Sequence, residues 1–291
     1  MFHLGLGHFT GRMTDQRKQQ HTLVLGGTGK TGRRIVARLR GQGVPVRVGS
    51  RTARQPFDWT DPATWAPTLR DVNAVYLSYH PDLAEPGALE TVAAFTDLAV
   101  AAGVSRLVLL SGRGEEIARS AEEHVQAAGV EWTVLRSSWF NQNFSEDYLL
   151  EPVRGGEVVL PVGPVPEPFV DADDIADVAV AALTGNGHAG QLYELTGPRL
   201  LTFGEAIADI ATSTGRTIKL VQVSSAEYAD GLAAAGVPAG TIELLTYLFT
   251  TLLDGRNAQV TDGVARALGR PPRDFADYAT STAATGVWGG A

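Results

Sequence analysis

The chain has 291 residues, enough for one large α/β domain or for a nucleotide domain with a small appendage, and its 44% hydrophobic and 19% charged content is ordinary for a globular protein. It has no cysteine, which excludes disulfides, thiolate metal sites and iron–sulfur clusters, and six scattered histidines (only His3 and His8 are close) give no ground for a metal site. A net charge of −8 with a pI near 5.3 argues against contacts to nucleic-acid phosphates, which need a basic face.

Residues 1–20 open with MFHLGLGHFTGR, which has no clear period, and continue with the polar MTDQRKQQ. A disordered or extended tail is expected there, with Met13 as an alternative start to Met1. The N-terminus lacks a signal-peptide h-region and cleavage site, and no stretch approaches the roughly 18 apolar residues that span a bilayer. A cytoplasmic protein without membrane association is expected.

From about residue 21, short apolar runs alternate with amphipathic stretches, the signature of parallel βαβ units. Residues 21–25 read as a strand, and residues 30–40 as a helix with Ile35, Val36 and Leu39 inward and Arg33, Arg34, Arg38 and Arg40 outward. Strands follow at 44–49 and 74–79, a helix at 89–102, a strand at 106–111, a helix at 115–128 and a strand at 132–136. After about Asn143 the texture changes. Residues 157–168 read as a Pro/Gly/Val-rich loop with one short strand, 171–184 as a helix, 191–196 as a strand and 202–214 as a helix. A strand at 218–223 and several helices complete the chain; the helix at 241–253 carries Leu244, Leu245, Tyr247, Leu248 and Phe249. The expected fold is α/β, a doubly wound parallel sheet of Rossmann type with a smaller C-terminal α+β cap. Residues 21–150 would be the nucleotide-binding core; residues 151–291 would supply the remaining sheet elements and a substrate-binding cap.

One motif follows a strand and opens a helix. In LVLGGTGKTG (residues 23–32), Gly26, Gly29 and Gly32 are spaced G-x-x-G-x-x-G. A dinucleotide turn needs a positive φ, close backbone approach to a pyrophosphate, and a helix packed against its strand. N–H groups at the helix start then face the phosphates. The letters Gly29-Lys30-Thr31 suggest a P-loop, but its first glycine would have to stand where Val24 stands, so that reading fails. About 20 residues onward, where NAD enzymes place an acid on the ribose, the chain offers Ser50 and Arg51. A hydroxyl and a guanidinium suit a 2′-phosphate, so NADP(H) is expected over NAD(H).

These residues resemble the NmrA-like branch of atypical short-chain dehydrogenases over about residues 21–288. The resemblance includes the glycine turn, VLLSG at 108–112, EWTVLR at 131–136, NQNF at 141–144, FVDADDIA at 169–176 and YELTGP at 193–198. More narrowly, residues 27–33, 57–59 and 137–144 are similar to the ergot-alkaloid-type group, which holds festuclavine and agroclavine dehydrogenases, NADPH-dependent iminium reductases. The resemblance implies that Gly26, Thr28, Gly29, Lys30, Thr31 and Gly32 line the pyrophosphate and that Ser50 and Arg51 hold the 2′-phosphate. Asp58 and Trp59 would lie near the adenine, with Ser78, Tyr79 and His80 where ribose and nicotinamide pass. Ser111 and the run Ser138, Trp139, Phe140 would end the next two strands, although each of these also reads as strand-end packing.

Most short-chain dehydrogenases use Tyr-x-x-x-Lys to protonate the product as hydride arrives. Here the only lysines are Lys18, Lys30 and Lys219, and none lies four residues after a tyrosine; Ala118 and Arg119 stand where related sequences often have the lysine. Two readings follow. The first is an NADPH-dependent oxidoreductase of secondary metabolism that passes hydride to a small-molecule electrophile: an iminium, enone or carbonyl. An iminium needs no proton, and positioning alone can supply much of the rate. If a donor is needed, Tyr79, His80 and Ser111 are the local candidates, His80 also reading as a surface turn before Pro81. The second reading is a non-catalytic NADP(H)-sensing regulator of NmrA type. A pocket roofed by the 139–144 loop and the 241–253 helix, with Trp139, Phe140, Asn143 and Tyr247 touching substrate, would favour the enzyme; Leu244, Leu248 and Leu252 equally read as core. No G-x-S-x-G elbow is present, and Asp171, Asp173 and Asp174 read as helix-opening acids. A monomer or homodimer is expected, with no nucleic-acid partner.

Overall fold

The computed structural model describes residues 20–289, so the expected tail lies, but for Gln20, outside the described residues. Strand β1 (His21–Leu25) feeds α1 (Lys30–Gly41), whose apolar stripe of Ile35, Val36 and Leu39 is buried as its period requires. Next come β2 (Val46–Gly49), the short α2 (Trp65–Thr68), β3 (Val72–Leu77) and α3 (Ala88–Ala101). Then follow β4 (Arg106–Gly112), α4 (Glu116–Gln126) and β5 (Glu131–Ser137). Beyond two short helices, α5 (Asn143–Glu146) and α6 (Leu150–Gly155), the chain makes β6 (Glu157–Leu160), α7 (Ala172–Thr184) and β7 (Gln191–Leu195). The last third holds α8 (Phe203–Thr214), β8 (Lys219–Gln222), α9 (Ser225–Ala234), α10 (Ala239–Tyr247), α11 (Gly263–Leu268) and α12 (Phe275–Ala283).

Six strands pair in parallel in the order β2-β1-β3-β4-β5-β7. Alternation along β1 assigns the two faces. Leu23 and Leu25 pack with Val92, Phe95, Ala118 and Val125 of α3 and α4, while Val24 packs with α1 and with Ile175 and Ala179 of α7. Each such side chain contributes about 1.5–3 kcal/mol on burial. The order reverses between β1 and β3, so the switch-point crevice opens at the carboxyl ends of those strands. Both ends of this reversal meet there: β1 stops at Leu25 and β3 at Leu77. The strand expected at 74–79 therefore ends two residues early, leaving Ser78 and Tyr79 in the loop.

The arginines expected to point outward from α1 are in part turned to α7. Arg34 bonds Glu146 (2.8 Å) and Asp173 (3.1 Å), and Arg38 bonds Asp173 and Asp177, both at 2.6 Å. A single helix's pattern cannot reveal the acidic face packed beside it. Asp171 caps α7 by accepting from Asp173 N at 2.7 Å, as its position suggested. Asp174, fully buried, instead pairs with Arg270 and Arg273.

Strands β6 and β8 form a separate parallel pair, which with α8, α9, α10 and α12 encloses a second apolar cluster around Trp139, Phe144, Phe169, Phe203, Phe249 and Phe275. The helix expected at 241–253 begins earlier, after Pro238, and its end is a π turn at Leu248–Leu252. The wider turn lets Phe249, Leu252 and Leu253 all enter the interior. Among the described residues no helix is long and apolar enough to cross a membrane.

Candidate active site

The glycine turn is closed by Gly29 N donating to Gly26 O at 2.8 Å, with Gly26 at φ +62°. A Cβ on Gly32 would stand 2.1 Å from Gly26 O and 2.7 Å from Gly27 Cα, so only a bare Cα lets α1 start against the turn. The N-terminus of α1 has no side-chain cap and no acid in its first turn. Its free N–H groups are thus available to an anion. A Cβ on Gly26 would lie 3.5 Å from the Ser78 side chain, which places the ends of β1 and β3 side by side.

On the β2 side, Ser50 Oγ lies 3.5 Å from Thr52 Oγ1, and Arg51 is exposed. Asp58 is held below the usual carboxylate range by the N–H and O–H of Thr60, with the charge of Arg51 helping. Arg51 and Asp58 therefore sit on one rim. Trp59 Nε1 donates to Ser78 O at 3.1 Å, and its ring packs 5.1 Å from Tyr79 and edge-on to Phe57, Trp65 and Phe95. Trp59, Ser78 and Tyr79 are thus brought together beside the glycine turn, while His80 is exposed.

Past β5 the chain enters the interior with its polar groups unmatched. Ser137 Oγ, Ser138 Oγ, Trp139 Nε1 and both polar atoms of the Asn141 side chain are buried without a hydrogen-bond partner. Each unmatched group costs about 1–3 kcal/mol if it stays unpaired, and five such atoms fall in a run of five residues. Trp139 packs 4.9 Å from Phe249 and 5.2 Å from Phe203, under the cap. Glu167, wholly buried, also has both carboxyl oxygens unpartnered. Burial pushes it up to about 7 against the opposing charge of Arg113.

Two expected side-chain roles need correcting. The Lys30 ammonium does not reach back over the turn; it pairs with Asp147, donates to Asn143 Oδ1 at 2.8 Å and lies 5.6 Å from the Phe140 ring centre. The acids just beyond the 139–144 loop draw it there, which brings Lys30, Phe140 and Asn143 together. Ser111 is buried, and its hydroxyl donates to Glu122 Oε1 at 2.6 Å, with Arg136 held on the same carboxylate. Its proton faces α4, away from the cleft. Thr31 Oγ1 accepts from the buried Tyr76 hydroxyl at 3.0 Å, so it joins helix to sheet.

The profile of an NAD(P)H-binding family matches residues 26–186, more than half of the chain. Agroclavine dehydrogenase of Claviceps fusiformis is 32% identical over 91% of this chain and 98% of its own length. The chain belongs to this NAD(P)H-binding family. Among solved folds, Citrobacter sp. triphenylmethane reductase, complexed with NADP(H), superposes with a TM-score of 0.71 at 18% identity, covering 91% of this chain and 99% of its own. Nmra, a negative transcriptional regulator crystallised with NAD, gives 0.64 at 18% identity over 90% and 95%. Both show the Rossmann-type fold.

Within this NAD(P)H-binding chain, three acids escaped the reading of the sequence: Asp82, Glu115 and Glu167. Glu115 was placed in the first turn of a helix, where an acid needs no further explanation. Only the glycines on either side of Arg113 hinted at a tight turn folding it back. Tyr247 lies half-buried on α10, its phenol pushed up by burial and then by the Glu115 and Asp82 charges. A groove of about 500 Å³, lined by Gln20, Asn73, Ser105, Arg106 and Glu131, opens at the opposite, N-terminal ends of the strands.

Proposed function

We propose that the chain is an NADPH-dependent reductase that passes hydride to a small-molecule electrophile, an iminium, enone or carbonyl, in secondary metabolism. The observation that carries this reading is the run of unmatched buried polar groups from Ser137 to Asn141, lying between the sheet and an aromatic cap. A regulator that only senses the dinucleotide needs a partner surface, not a run of unmatched polar groups under aromatic side chains. The agroclavine dehydrogenase relative supports the same reaction class.

The residues present fit the cofactor. The backbone from Gly26 to Gly32, with the Thr28 hydroxyl, would hold the pyrophosphate; Ser50 and Arg51 would hold the 2′-phosphate; Asp58 and Trp59 would border the adenine. Ser78 and Ser138 would meet the ribose and carboxamide, and the unmatched hydroxyl of Ser138 is of the right chemistry. Bound there, the reduced nicotinamide supplies hydride. Trp139, Phe140, Asn143 and Tyr247 would line the substrate side, where Trp139 and Phe249 exclude water and fix the electrophilic carbon.

Titration of the purified protein with NADPH and NADH, followed by a screen of iminium salts, enones and quinones for NADPH oxidation, tests this. NADPH binding with turnover on one of these classes is expected. Failure to bind either nucleotide would sink the reading, and tight binding without any turnover would favour the sensor.

A further inference from the structure

The chain lacks a lysine four residues after a tyrosine, yet carbonyl and enone reduction leaves an anion that must be protonated. Two of the three local donors are already used or distant: Ser111 gives its proton to Glu122, and His80 is exposed. Tyr79 packs its ring on Trp59.

A different proton stands at the end of β4. The Glu115 side chain, 6% exposed, folds back onto Gly112, where a Cβ would lie 2.1 Å from Oε1 and 2.3 Å from Cδ. From the loop after β3, Asp82 brings its carboxyl into hydrogen-bonding contact with it. Two ionised carboxylates cannot hydrogen-bond each other, so this contact requires a proton on one of them. The neighbouring cations are committed elsewhere: Arg113 to Glu194 and the carbonyls of Asn257 and Gln259, Arg136 to Glu122, and Arg256 to Asp254. The other ionisable groups facing the pair are Glu122 of α4 and Tyr247 of α10, neither of which brings a positive charge.

The pair's position is the independent point. Gly112 is paired in register with Ser137, the first of the unmatched buried groups. Adjacent strands are about 4.8 Å apart, so the Glu115 carboxyl lies roughly one strand away from the site that this run lines. Tyr247 closes the arrangement from the cap.

We propose that Glu115 is the catalytic acid of the reduction and that Asp82 is the positioning residue that holds and restores its proton. This rests on the reductase reading above. As hydride reaches the carbonyl carbon, the C=O π pair moves to oxygen. The O–H bond of Glu115 breaks, its proton forms the product O–H, and the electron pair stays on Glu115 as carboxylate. One proton from solvent then returns to the Asp82–Glu115 pair, so the sum is substrate, NADPH and H⁺ giving reduced product and NADP⁺. For an enone the same proton goes to the enolate. Burial, with the Asp82 charge adding, pushes Glu115 up to about 9, which keeps it protonated at neutral pH. An alkoxide or enolate is still the stronger base, so transfer runs downhill.

Infrared difference spectroscopy of the free protein is the first test. Above the range where Glu167 loses its proton, a protonated-carboxyl component should remain, disappear as pH passes about 9, be missing in Glu115→Gln, and titrate at lower pH in Asp82→Asn. Activity is the second. Glu115→Gln should lower kcat on a carbonyl or enone by about 100-fold or more while changing iminium reduction by less than about tenfold, with NADPH affinity unaltered. Persistence in Glu115→Gln of the component that titrates near 9 would overturn the proposal. So would equal losses on iminium and carbonyl substrates, or turnover confined to iminium ions. Absence of NADPH binding would defeat the reductase reading itself and the catalytic role with it, while the infrared result would still report on the proton.

Discussion

Gly112 and Glu115 exclude one another: a Cβ on Gly112 would overlap the Glu115 carboxyl at 2.1 Å from Oε1. Gly112→Ala must therefore push that carboxyl off the end of β4. Displacement of an acid by about 1 Å costs on the order of 100-fold in rate, so kcat on a carbonyl substrate should fall by about that factor. The NADPH dissociation constant, which the proposal assigns to the glycine turn and the Ser50–Arg51 rim, should stay within about twofold. Steady-state kinetics with a parallel binding titration separates the two effects, and a matching loss of NADPH affinity would show that the substitution acts through the fold.

At Gly32 the neighbour is backbone, which cannot swing aside. Gly32→Ala puts a methyl group 2.1 Å from Gly26 O and forces the turn open. NADPH binding should weaken by at least about tenfold, or roughly 1.4 kcal/mol. Isothermal titration calorimetry reads this directly, and wild-type affinity in the variant would refute the assignment of the pyrophosphate to this turn.

Arg51 is exposed on the rim it shares with Asp58, and it is the side chain proposed for the 2′-phosphate. A charge-assisted hydrogen bond is worth about 1.5–3 kcal/mol. Arg51→Ala should thus weaken NADPH by about 10- to 100-fold and leave NADH nearly unchanged. A preference for NADPH that survives the substitution would mean that another residue reads the phosphate.

The α1–α7 contact predicts a pH dependence. Burial alone would raise Asp173, but hydrogen bonds from Arg38 and the charge of Arg34 outweigh it and hold the carboxyl below its ordinary value. A carboxyl whose folded pKa is depressed stabilises the fold above its unfolded pKa, near 3.9, and loses that contribution as pH falls through the folded value. Asp173→Asn should cost about 1–2 kcal/mol at pH 7, with the gap to wild type closing as pH falls through the depressed folded value. Urea unfolding at several pH values measures it; a constant gap across that range would contradict the assigned charge effect.

Much of the core was legible because it depends on local pattern. Short apolar runs and amphipathic stretches marked the six parallel strands of the main sheet and the longer helices between them, and glycines at 26, 29 and 32 marked the turn. Strand ends were less legible, since a strand stops where its neighbour does: β3 ends at Leu77 because β1 ends at Leu25. The side chains of Lys30 and Ser111 were misplaced for a related reason. Their partners, Asp147 and Glu122, are 117 and 11 residues away, and neither spacing is a pattern.

For the Asp82–Glu115 pair the same limit is sharper. Nothing in the sequence links a residue in the β3–α3 loop to the first acid after β4, and each alone is an unremarkable polar residue. What the sequence determined by itself is the glycine turn at 26–32 between strand and helix, because a bare Cα and a helix start are local requirements. What only the tertiary structure decided is where the buried charges and unmatched donors meet, because a carboxyl's protonation depends on burial and on neighbours that arrive from other strands.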